Sequence, residues 1–448
     1  KLLTEFLNFK ILVKLLKITP ITDTQIEKFL RFLRYEILLN IESIKDKEMA
    51  FNAMELIASQ CFINEYIYPI QKKEEDILNI VEQKIKNIKG NSFKNVKLEI
   101  TCLAAYKPLN TYTWSNKLID TNIISNLIKQ QIINPKKEKN LKKEIYTKNI
   151  KNLVSLKVKD QYENNPYPRW EKIALNNNPK EPFNFFNNLE LNFKKENMKK
   201  WKNIEVLVAG CGTGQHAITT ATKYKNSFIT AIDLSANSLS FAKRKAIELE
   251  INNIDFVQMD LLDLKYYGKE FHIIESVGVL HHMDDPYKGW QVLYETLKSD
   301  GMIMIGLYSK LAREHIKRIR SKIKKRKIEA NNKNIIKFRE EVLFSNENDE
   351  KIIKNSPDFY SLSNFRDLLF HVQEYRFDID EINNFLKKIN LKFCGFENQE
   401  LINLFKNEYI KKVDLYDLKN WKSFEIKNPR IFAGMYQFWC QKIDSFEN

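Results

Sequence analysis

The amino-acid sequence predicts an α/β fold: a mostly parallel sheet with helices on both faces, preceded by an all-helical N-terminal domain. At 448 residues the chain exceeds the size at which single cores stop growing, so at least two units are expected. Residues 1–151 place apolar side chains at helical spacing. From Asn203 onward, short β-branched runs alternate with helical stretches, which is typical of buried parallel strands.

The helical domain is predicted over residues 1–151, where runs such as TDTQIEKFLRFLRYEILLNI follow an Asp or Thr cap. Residues 152–202 form a predicted connector that is rich in aromatic residues. Its prolines oppose a continuous helix; they are Pro166, Pro168, Pro179 and Pro182. Because this segment directly precedes the predicted sheet, we also consider it as a lid over a ligand site.

The predicted α/β domain spans residues 203–448. Its strands are IEVLVA, FITAID, IDFVQMD, FHIIESV and MIMIGLY, followed by LKFCGFE and a final strand within RIFAGMYQFWCQK. We expect two helical insertions, at about 310–370 and about 401–429. The second separates the last two strands.

Composition limits the classes of function. No segment approaches the roughly 20 uninterrupted apolar residues that a membrane span needs, so no span is expected. The five cysteines are scattered without a zinc-ligand spacing, so we expect no metal site and a reducing, cytoplasmic location. The net charge of +16 is compatible with nucleic-acid binding. That partner is not favoured, because the whole sequence is rich in Lys, Asn and Ile.

A glycine-rich turn follows the first strand of the predicted sheet. Gly210, Gly212 and Gly214 lie where IEVLVA runs into GCGTGQHAITTATKY, and glycines there let a ligand approach the backbone and the start of the next helix. Asp233 ends the next strand, nineteen residues after Gly214, where a carboxylate can accept the hydroxyls of a ribose. Asp260 ends the third strand at the same edge, within reach of an adenine amine.

The glycine turn alone does not select the ligand. Gly212, Gly214 and Ala217 also satisfy the G-x-G-x-x-A spacing of a dinucleotide fold, so an NAD-dependent oxidoreductase remains an alternative. Asp260 and the segment GVLHHMDDP after the fourth strand favour a different nucleoside cofactor.

The run VLVAGCGTG, AIDLSANSL, FVQMDLLDL, VGVLHHMDDP and GMIMIGLYS resembles, in order and spacing, the motifs of class I S-adenosylmethionine-dependent methyltransferases. The resemblance covers about 203–309 and implies a Rossmann-like sheet of seven strands that binds S-adenosylmethionine. It places the three glycines against the methionine portion and ribose, Asp233 on the ribose hydroxyls, and Asp260 with the Leu261 backbone on the adenine. The implied cofactor-binding set also includes Cys211, Leu234 and Val277.

One position departs from that family. Its members commonly carry an acidic residue just before the glycines, where this sequence has Val208. We therefore expect contacts to the amino-acid end of the cofactor to come from other residues.

Four further segments resemble a narrower bacterial group of methyltransferases, often attached to tetratricopeptide repeats: SQCFINEYIYP, LAAYKPL, QYENNPYPRW and FAGMYQFWCQK. No such repeat is evident in this sequence, so a repeat region would lie upstream of residue 1. The aromatic residues and the arginine of QYENNPYPRW are the predicted substrate or lid residues, since aromatic faces suit a sulfonium cation. They are Tyr162, Tyr167, Arg169 and Trp170. Packing at a domain interface is the alternative reading of these side chains.

Methyl transfer from a sulfonium needs positioning and exclusion of water more than a catalytic base. If the acceptor must lose a proton, His281 and His282 after the fourth strand and Tyr308 after the fifth are the candidates. A packed or capping role is the alternative for each histidine.

The acceptor is left open by the sequence. A small molecule or a protein side chain is favoured. An RNA methyltransferase using the basic tract Lys310–Ala330 is a second hypothesis. A third is a non-catalytic module that keeps the cofactor as a structural ligand while the helical domain recruits a protein partner.

Overall fold

A computed structural model describes residues 1–88, 92–121, 123–196, 198–409 and 413–442. They divide into two compact units. The first, the helical unit, contains Lys1–Asn140, Pro168–Lys172 and Arg318–Phe370. The second, the sheet unit, contains Leu141–Tyr167, Ile173–Lys317 and His371–Asn448.

The α-helices, in chain order, are α1 (Leu2–Asn8), α2 (Lys10–Leu15), α3 (Thr24–Leu39), α4 (Lys47–Ile63), α5 (Lys72–Lys86), α6 (Lys97–Ala104), α7 (Ser125–Ile128), α8 (Asn134–Leu141), α9 (Leu153–Asn164), α10 (Pro182–Asn187), α11 (Gln215–Ala221), α12 (Ala236–Glu248), α13 (Pro286–Glu295), α14 (Glu314–Lys325), α15 (Asn332–Phe344), α16 (Asn348–Lys354), α17 (Leu362–Phe370), α18 (Ile379–Lys388), α19 (Gln399–Glu408) and α20 (Leu418–Lys427). The strands are β1 (Tyr146–Thr147), β2 (Ile204–Ala209), β3 (Ser227–Asp233), β4 (Ile254–Gln258), β5 (Phe271–Val277), β6 (Leu297–Leu307), β7 (Leu391–Phe396) and β8 (Tyr436–Lys442).

The helical unit begins its longer helices with side-chain caps. Asp23 accepts from two backbone N–H groups at the start of α3, each at 2.8 Å, and Asp46 accepts from that of Met49 at 2.9 Å at the start of α4. Such caps satisfy N–H groups that have no partner inside the helix. Leu30, Leu33 and Ile37 of α3 are buried at helical spacing, so one face of the helix enters the core.

The sheet unit is built on eight strands in the order β1-β4-β3-β2-β5-β6-β8-β7. The pairs from β1 to β6 are parallel, and β8 runs antiparallel between β6 and β7. The predicted α/β fold is confirmed. The strand beyond the seven expected is the two-residue β1, which lies within the span predicted to be all helical and pairs with β4.

Parallel strands place their carboxyl ends at one edge of the sheet, where ligands of open α/β sheets bind. The glycine turn, Asp260 and Tyr308 follow β2, β4 and β6, and Asp233 and Val277 are the last residues of β3 and β5. The topology therefore brings these predicted site residues to one edge of the sheet.

Both predicted insertions contain helices. Residues 310–370 carry α14 to α17, and residues 318–370 group with the helical unit. Residues 401–429 carry most of α19 and all of α20. In α20, Trp421 packs on Phe396 of β7 and Phe405 of α19, so these helices cover the end of the sheet. The division at residues 151 and 202 stays a prediction.

Among the described residues, no helix combines the length and the apolar character needed to cross a membrane.

Candidate functional site

The glycines of the turn after β2 are required by the chain's own geometry. All three have positive φ, at +69° for Gly210, +54° for Gly212 and +83° for Gly214, a region that residues with a Cβ rarely adopt. A Cβ on Gly210 would lie 2.3 Å from a methyl carbon of Val279, and one on Gly214 would lie 2.5 Å from the Cβ of Ala242. The two ends of the turn are therefore packed too closely against neighbouring segments for a side chain at Gly210 or Gly214.

Asp233 ends β3 beside this turn. Its carboxylate accepts from the backbone N–H of Gly212 and from that of Ser235, each at 2.8 Å. Its surroundings hold little water, and this desolvation raises the pKa of the carboxyl to about 6 even though the two N–H groups favour the charged form. Asp233 thus fixes the turn from one side while its side chain remains partly accessible.

Asp260 lies after β4 and is 3% exposed. Its Oδ1 accepts from the N–H of Leu262 at 3.0 Å and so caps the short helical turn that begins at Leu261. Across the described residues, Oδ2 accepts no hydrogen bond. The carboxylate therefore keeps an acceptor for a ligand amine, the role that the sequence predicts.

The other predicted cofactor residues have different environments. Cys211 is buried, and desolvation raises the pKa of its thiol well above the usual value, so it does not act as a thiolate. The carbonyl of Leu234 accepts from the side-chain amide of Gln258 at 2.8 Å. Val277 ends β5 and is followed by Gly278, where an added Cβ would find no atom within 4 Å. The space beside Gly278 is open at the sheet edge.

The predicted lid residues separate between the two units. Tyr162 and Tyr167 belong to the sheet unit and stack with their ring centres 6.3 Å apart. Arg169 and Trp170 belong to the helical unit, where Arg169 lies 3.5 Å from Glu65 and Trp170 is buried. Contact within that unit is therefore the structural role visible for Arg169.

The end of α9 is attached to the segment that follows Asp233. The Ser235 hydroxyl donates to the Tyr162 carbonyl at 3.1 Å and to the Glu163 carboxylate at 2.9 Å. The Asn237 N–H donates to the same carboxylate at 3.0 Å, and Lys142 forms an ion pair with it. These contacts hold Tyr162 next to the predicted ribose-binding carboxylate.

The three predicted catalytic residues lie together after β5 and β6. His281 stacks on Tyr308 with ring centres 3.7 Å apart, and the guanidinium of Arg313 lies 3.6 Å from the Tyr308 ring centre. His281 is 0% exposed, and its two ring nitrogens have no hydrogen-bond partner among the described residues. Desolvation, and then the neighbouring His282 and Arg313, lower the pKa of His281 well below its usual value. The ring is therefore neutral at physiological pH.

His371 joins this group and was not predicted. It stacks on His282 at 3.6 Å and hydrogen bonds to the Tyr162 hydroxyl at 3.1 Å. The backbone of Gln373 orients both rings, because its N–H donates to His371 Nδ1 at 3.0 Å and its carbonyl accepts from His282 Nδ1 at 2.7 Å. His371 lies 90 residues after His281 in a segment without a recognisable motif, so the sequence offers no signal for it.

The rings form a continuous row in the sheet unit, which we name the ring row. Its members, in order of contact, are Tyr167, Tyr162, His371, His282, His281 and Tyr308. The row extends from the segment after β3 to the end of β6. It therefore borders the region of Asp233, one of the two carboxylates predicted to bind a nucleoside.

A buried carboxylate on β5 was also missed by sequence reasoning. Glu275 is 0% exposed and pairs in register with Val208 of β2. Desolvation opposes its charge, but Lys223 and His216 outweigh that effect and lower the pKa of Glu275 well below its usual value. An acidic residue is therefore present beside Val208, contributed by the neighbouring strand.

The basic tract Lys310–Ala330 is extensively paired with acidic side chains. Lys310 contacts Asp378 and Glu381, and Arg313 contacts Glu374. Within the helical unit the pairs are Arg318 with Asp349, Lys322 with Glu347 and Arg326 with Glu341. Much of the positive charge that motivated a nucleic-acid hypothesis is thus neutralised by the protein.

Residues 200–356 match the family model of a methyltransferase domain. The chain is 26% identical over 240 residues to an uncharacterized protein of Synechococcus sp., covering 50% of this chain and 58% of the relative. It is 31% identical over 116 residues to a putative methyltransferase of Geobacillus sp., covering 25% and 45%. The chain thus spans about half the length of these relatives.

Among solved structures, the chain is similar to PKMT2 from Rickettsia typhi in complex with AdoHcy. The sequence identity is 17%, the TM-score is 0.41, and the match covers 62% of this chain and 54% of that chain.

The residues of the sheet edge fit S-adenosylmethionine. Gly278 leaves open space beside the glycine turn, and Asp233 and Asp260 offer carboxylate oxygens for a ribose and an adenine amine. The family match covers the strands that carry these residues. Residues 200–356 therefore match a methyltransferase domain, and the residues at this edge of the sheet fit S-adenosylmethionine as its cofactor.

Proposed function

We propose that the whole protein transfers a methyl group from S-adenosylmethionine to a small molecule or a protein side chain. The observation that carries this proposal is the ring row, which is attached at Tyr162 to the segment after Asp233 and ends at Tyr308. A wall of aromatic and imidazole rings suits a cationic or planar group and excludes water from a displacement reaction. The bound cofactor supplies an electrophilic methyl group on a sulfonium.

The chain's own residues orient the two reactants. In this proposal Asp233 holds the ribose hydroxyls, and Asp260 with the Leu261 backbone holds the adenine. The glycines of the turn allow the backbone to approach the ligand closely, since they carry no side chain. Most of the acceleration then comes from alignment of the acceptor with the methyl group.

The predicted catalytic residues His281 and Tyr308 differ in exposure, and we assign them different roles on that basis. His281 is 0% exposed, so we assign it to supporting Tyr308 through stacking. Tyr308 is partly exposed and is the member of this pair that can meet an acceptor. The Nδ1–H of His282 donates to the Gln373 carbonyl, so any proton exchange by His282 involves Nε2. A base is needed only if the acceptor carries a proton that must leave.

The segment QYENNPYPRW also bears on which group of methyltransferases the chain resembles. QYENNPYPRW contributes Tyr162 and Tyr167 to the ring row, which supports placing the chain in the narrower methyltransferase group. We further propose that the helical unit recruits a protein partner and that the protein acts in the cytoplasm. The paired cations of the basic tract weigh against RNA as the acceptor.

The test is methyl transfer to fractionated cell extract with methyl-labelled S-adenosylmethionine. Small-molecule and protein fractions are assayed separately, and ribonuclease treatment marks any RNA product. We expect label in a small-molecule or protein fraction, reduced at least about tenfold by Tyr308→Phe if its hydroxyl contacts the acceptor. Absence of transfer to every fraction, with cofactor binding intact, contradicts the proposal and favours the non-catalytic module. Ribonuclease-sensitive label favours the RNA alternative.

A further inference from the structure

The oxygens of the buried carboxylate Glu275 are occupied by four donors. Oε1 accepts from Lys223 Nζ at 2.8 Å and from the Tyr224 hydroxyl at 3.1 Å. Oε2 accepts from the Thr220 hydroxyl at 2.5 Å and pairs with His216 Nε2 at 2.7 Å. With each oxygen engaged twice and no exposure, Glu275 does not itself meet a ligand.

His216 differs from the other three donors in its position. It is the second residue of α11 and lies two residues after Gly214 of the glycine turn. Its side chain is 32% exposed, whereas that of Lys223 is 14% exposed. Across the described residues, Nδ1 of His216 makes no hydrogen bond. The ring is thus anchored through Nε2 and partly exposed, and its Nδ1 is not engaged by the described residues.

Strand register places Glu275 beside Val208, the position at which the resembled family commonly carries an acidic residue. Val208 and Glu275 are direct neighbours on the parallel strands β2 and β5, and neighbouring residues in register point to the same face of a sheet, about 4.8 Å apart. The Glu275 carboxylate therefore lies beside the position at which β2 carries only Val208. The polar side chains next to this position come from β5 and α11.

We propose that His216 binds the carboxylate of the amino-acid end of S-adenosylmethionine and that Glu275 is the positioning residue that holds its ring. In this arrangement both ring nitrogens donate, Nε2–H to Glu275 and Nδ1–H to the carboxylate of the ligand. A hydrogen bond to an ionised carboxylate is stronger than one to a neutral acceptor. The inference concerns the cofactor and does not depend on the identity of the methyl acceptor.

The experiment is calorimetric titration of the full chain with S-adenosylmethionine and with its decarboxylated form, which lacks only the carboxylate. The wild type is expected to bind the complete cofactor at least about tenfold more tightly, and His216→Gln is expected to reduce that preference to less than about threefold. Thr220→Val is the matched control, because it removes another donor to Glu275 and leaves the imidazole in place. It should keep the wild-type preference.

Two results overturn the proposal. One is equal affinity of the wild type for S-adenosylmethionine and its decarboxylated form, a result that needs no variant. The other is a His216→Gln variant whose affinities for both ligands fall by the same factor, or which keeps the wild-type preference. If that variant does not fold, the ring nitrogens of His216 are followed by NMR in the wild type. Their signals should shift with S-adenosylhomocysteine and not with 5′-methylthioadenosine, and equal shifts with both ligands overturn the proposal.

Discussion

At the scale of single residues, the three glycines of the turn are constrained by different neighbours. Gly210 is packed against Val279 after β5, and Gly214 against Ala242 of α12. Gly212 donates its N–H to Asp233. The resemblance assigned all three to ligand contact, whereas the structure adds a packing requirement at two of them.

Gly214→Ala should destabilise the fold by about 3 kcal/mol, because the new Cβ combines a positive φ with a 2.5 Å approach to Ala242. The measurement is the free energy of unfolding in urea. Gly268→Ala is the control, since Gly268 also has positive φ, at +74°, but open space around the added Cβ. It should cost only about 1 kcal/mol. Equal losses would show that the packing against α12 is not the cause.

The raised pKa of Asp233 predicts a pH dependence of cofactor binding. Below pH about 6 the carboxyl becomes protonated and is a poorer acceptor for ribose hydroxyls. The affinity for S-adenosylhomocysteine should therefore fall by up to about tenfold per pH unit below that value. The ratio of wild-type to Asp233→Asn affinity, measured by calorimetry, isolates this group from other titrating side chains. A ratio that is constant from pH 7 to pH 5 contradicts the assignment.

Protonation of Asp233 has the opposite effect on the stability of the fold: it lowers cofactor affinity but favours the folded state. A folded-state pKa above the ordinary 3.8 means that the folded protein binds this proton more readily than the unfolded chain. Acidification through this range therefore favours the fold as far as Asp233 is concerned. Loss of binding below pH 6 would then reflect the site and not this group's effect on unfolding.

At the scale of elements, a buried ion pair joins α3 to α15 within the helical unit. Arg339 is 0% exposed, and its guanidinium donates to both carboxylate oxygens of Glu27, at 2.8 and 2.5 Å. The same guanidinium donates to the Phe359 carbonyl at 2.7 Å. This buried contact thus connects two helices whose paired residues lie 312 positions apart in sequence.

Glu27→Gln should lower the free energy of unfolding of this unit by about 3 to 5 kcal/mol, because it leaves a buried guanidinium without its counter-charge. Glu341→Gln breaks the more exposed pair with Arg326 and should cost less than about 1 kcal/mol. Urea denaturation of both variants gives the comparison. Similar small losses would mean that the buried charge is compensated by other groups.

Many of the secondary-structure elements were predictable from local sequence, whereas several tertiary contacts were not. Strands β2 to β6, and helices such as α3, follow from hydrophobic periodicity and caps, which act over a few residues. The ring row, the Glu275 cluster and the Arg339 pair depend on side chains that come together only in the folded chain. His371 and Glu275 could not be predicted, since a lone His near aromatic residues or a Glu within an apolar strand has many possible partners.

At the scale of the whole molecule, the net charge of +16 does not translate into one basic surface along the tract Lys310–Ala330. Its unpaired cations among the described residues include Lys324, Lys325 and Lys327, which are exposed. We expect tRNA to bind only in the non-specific range, with Kd about 1 μM or weaker at physiological salt.

Fluorescence anisotropy with labelled tRNA measures this affinity. Changing the three lysines to glutamate should leave methyl transfer to the favoured fraction intact. Nanomolar affinity for tRNA that is lost in the triple variant would instead support the RNA alternative.

The proposed activity of the whole molecule requires the cofactor. Calorimetric titration with S-adenosylhomocysteine and, separately, with NAD tests it most directly, using Asp233→Ala as the site variant. We predict one S-adenosylhomocysteine per chain, an affinity weakened at least about tenfold by Asp233→Ala, and no NAD binding. Binding of NAD in place of S-adenosylhomocysteine, or S-adenosylhomocysteine binding that is unaffected by Asp233→Ala, would contradict the account.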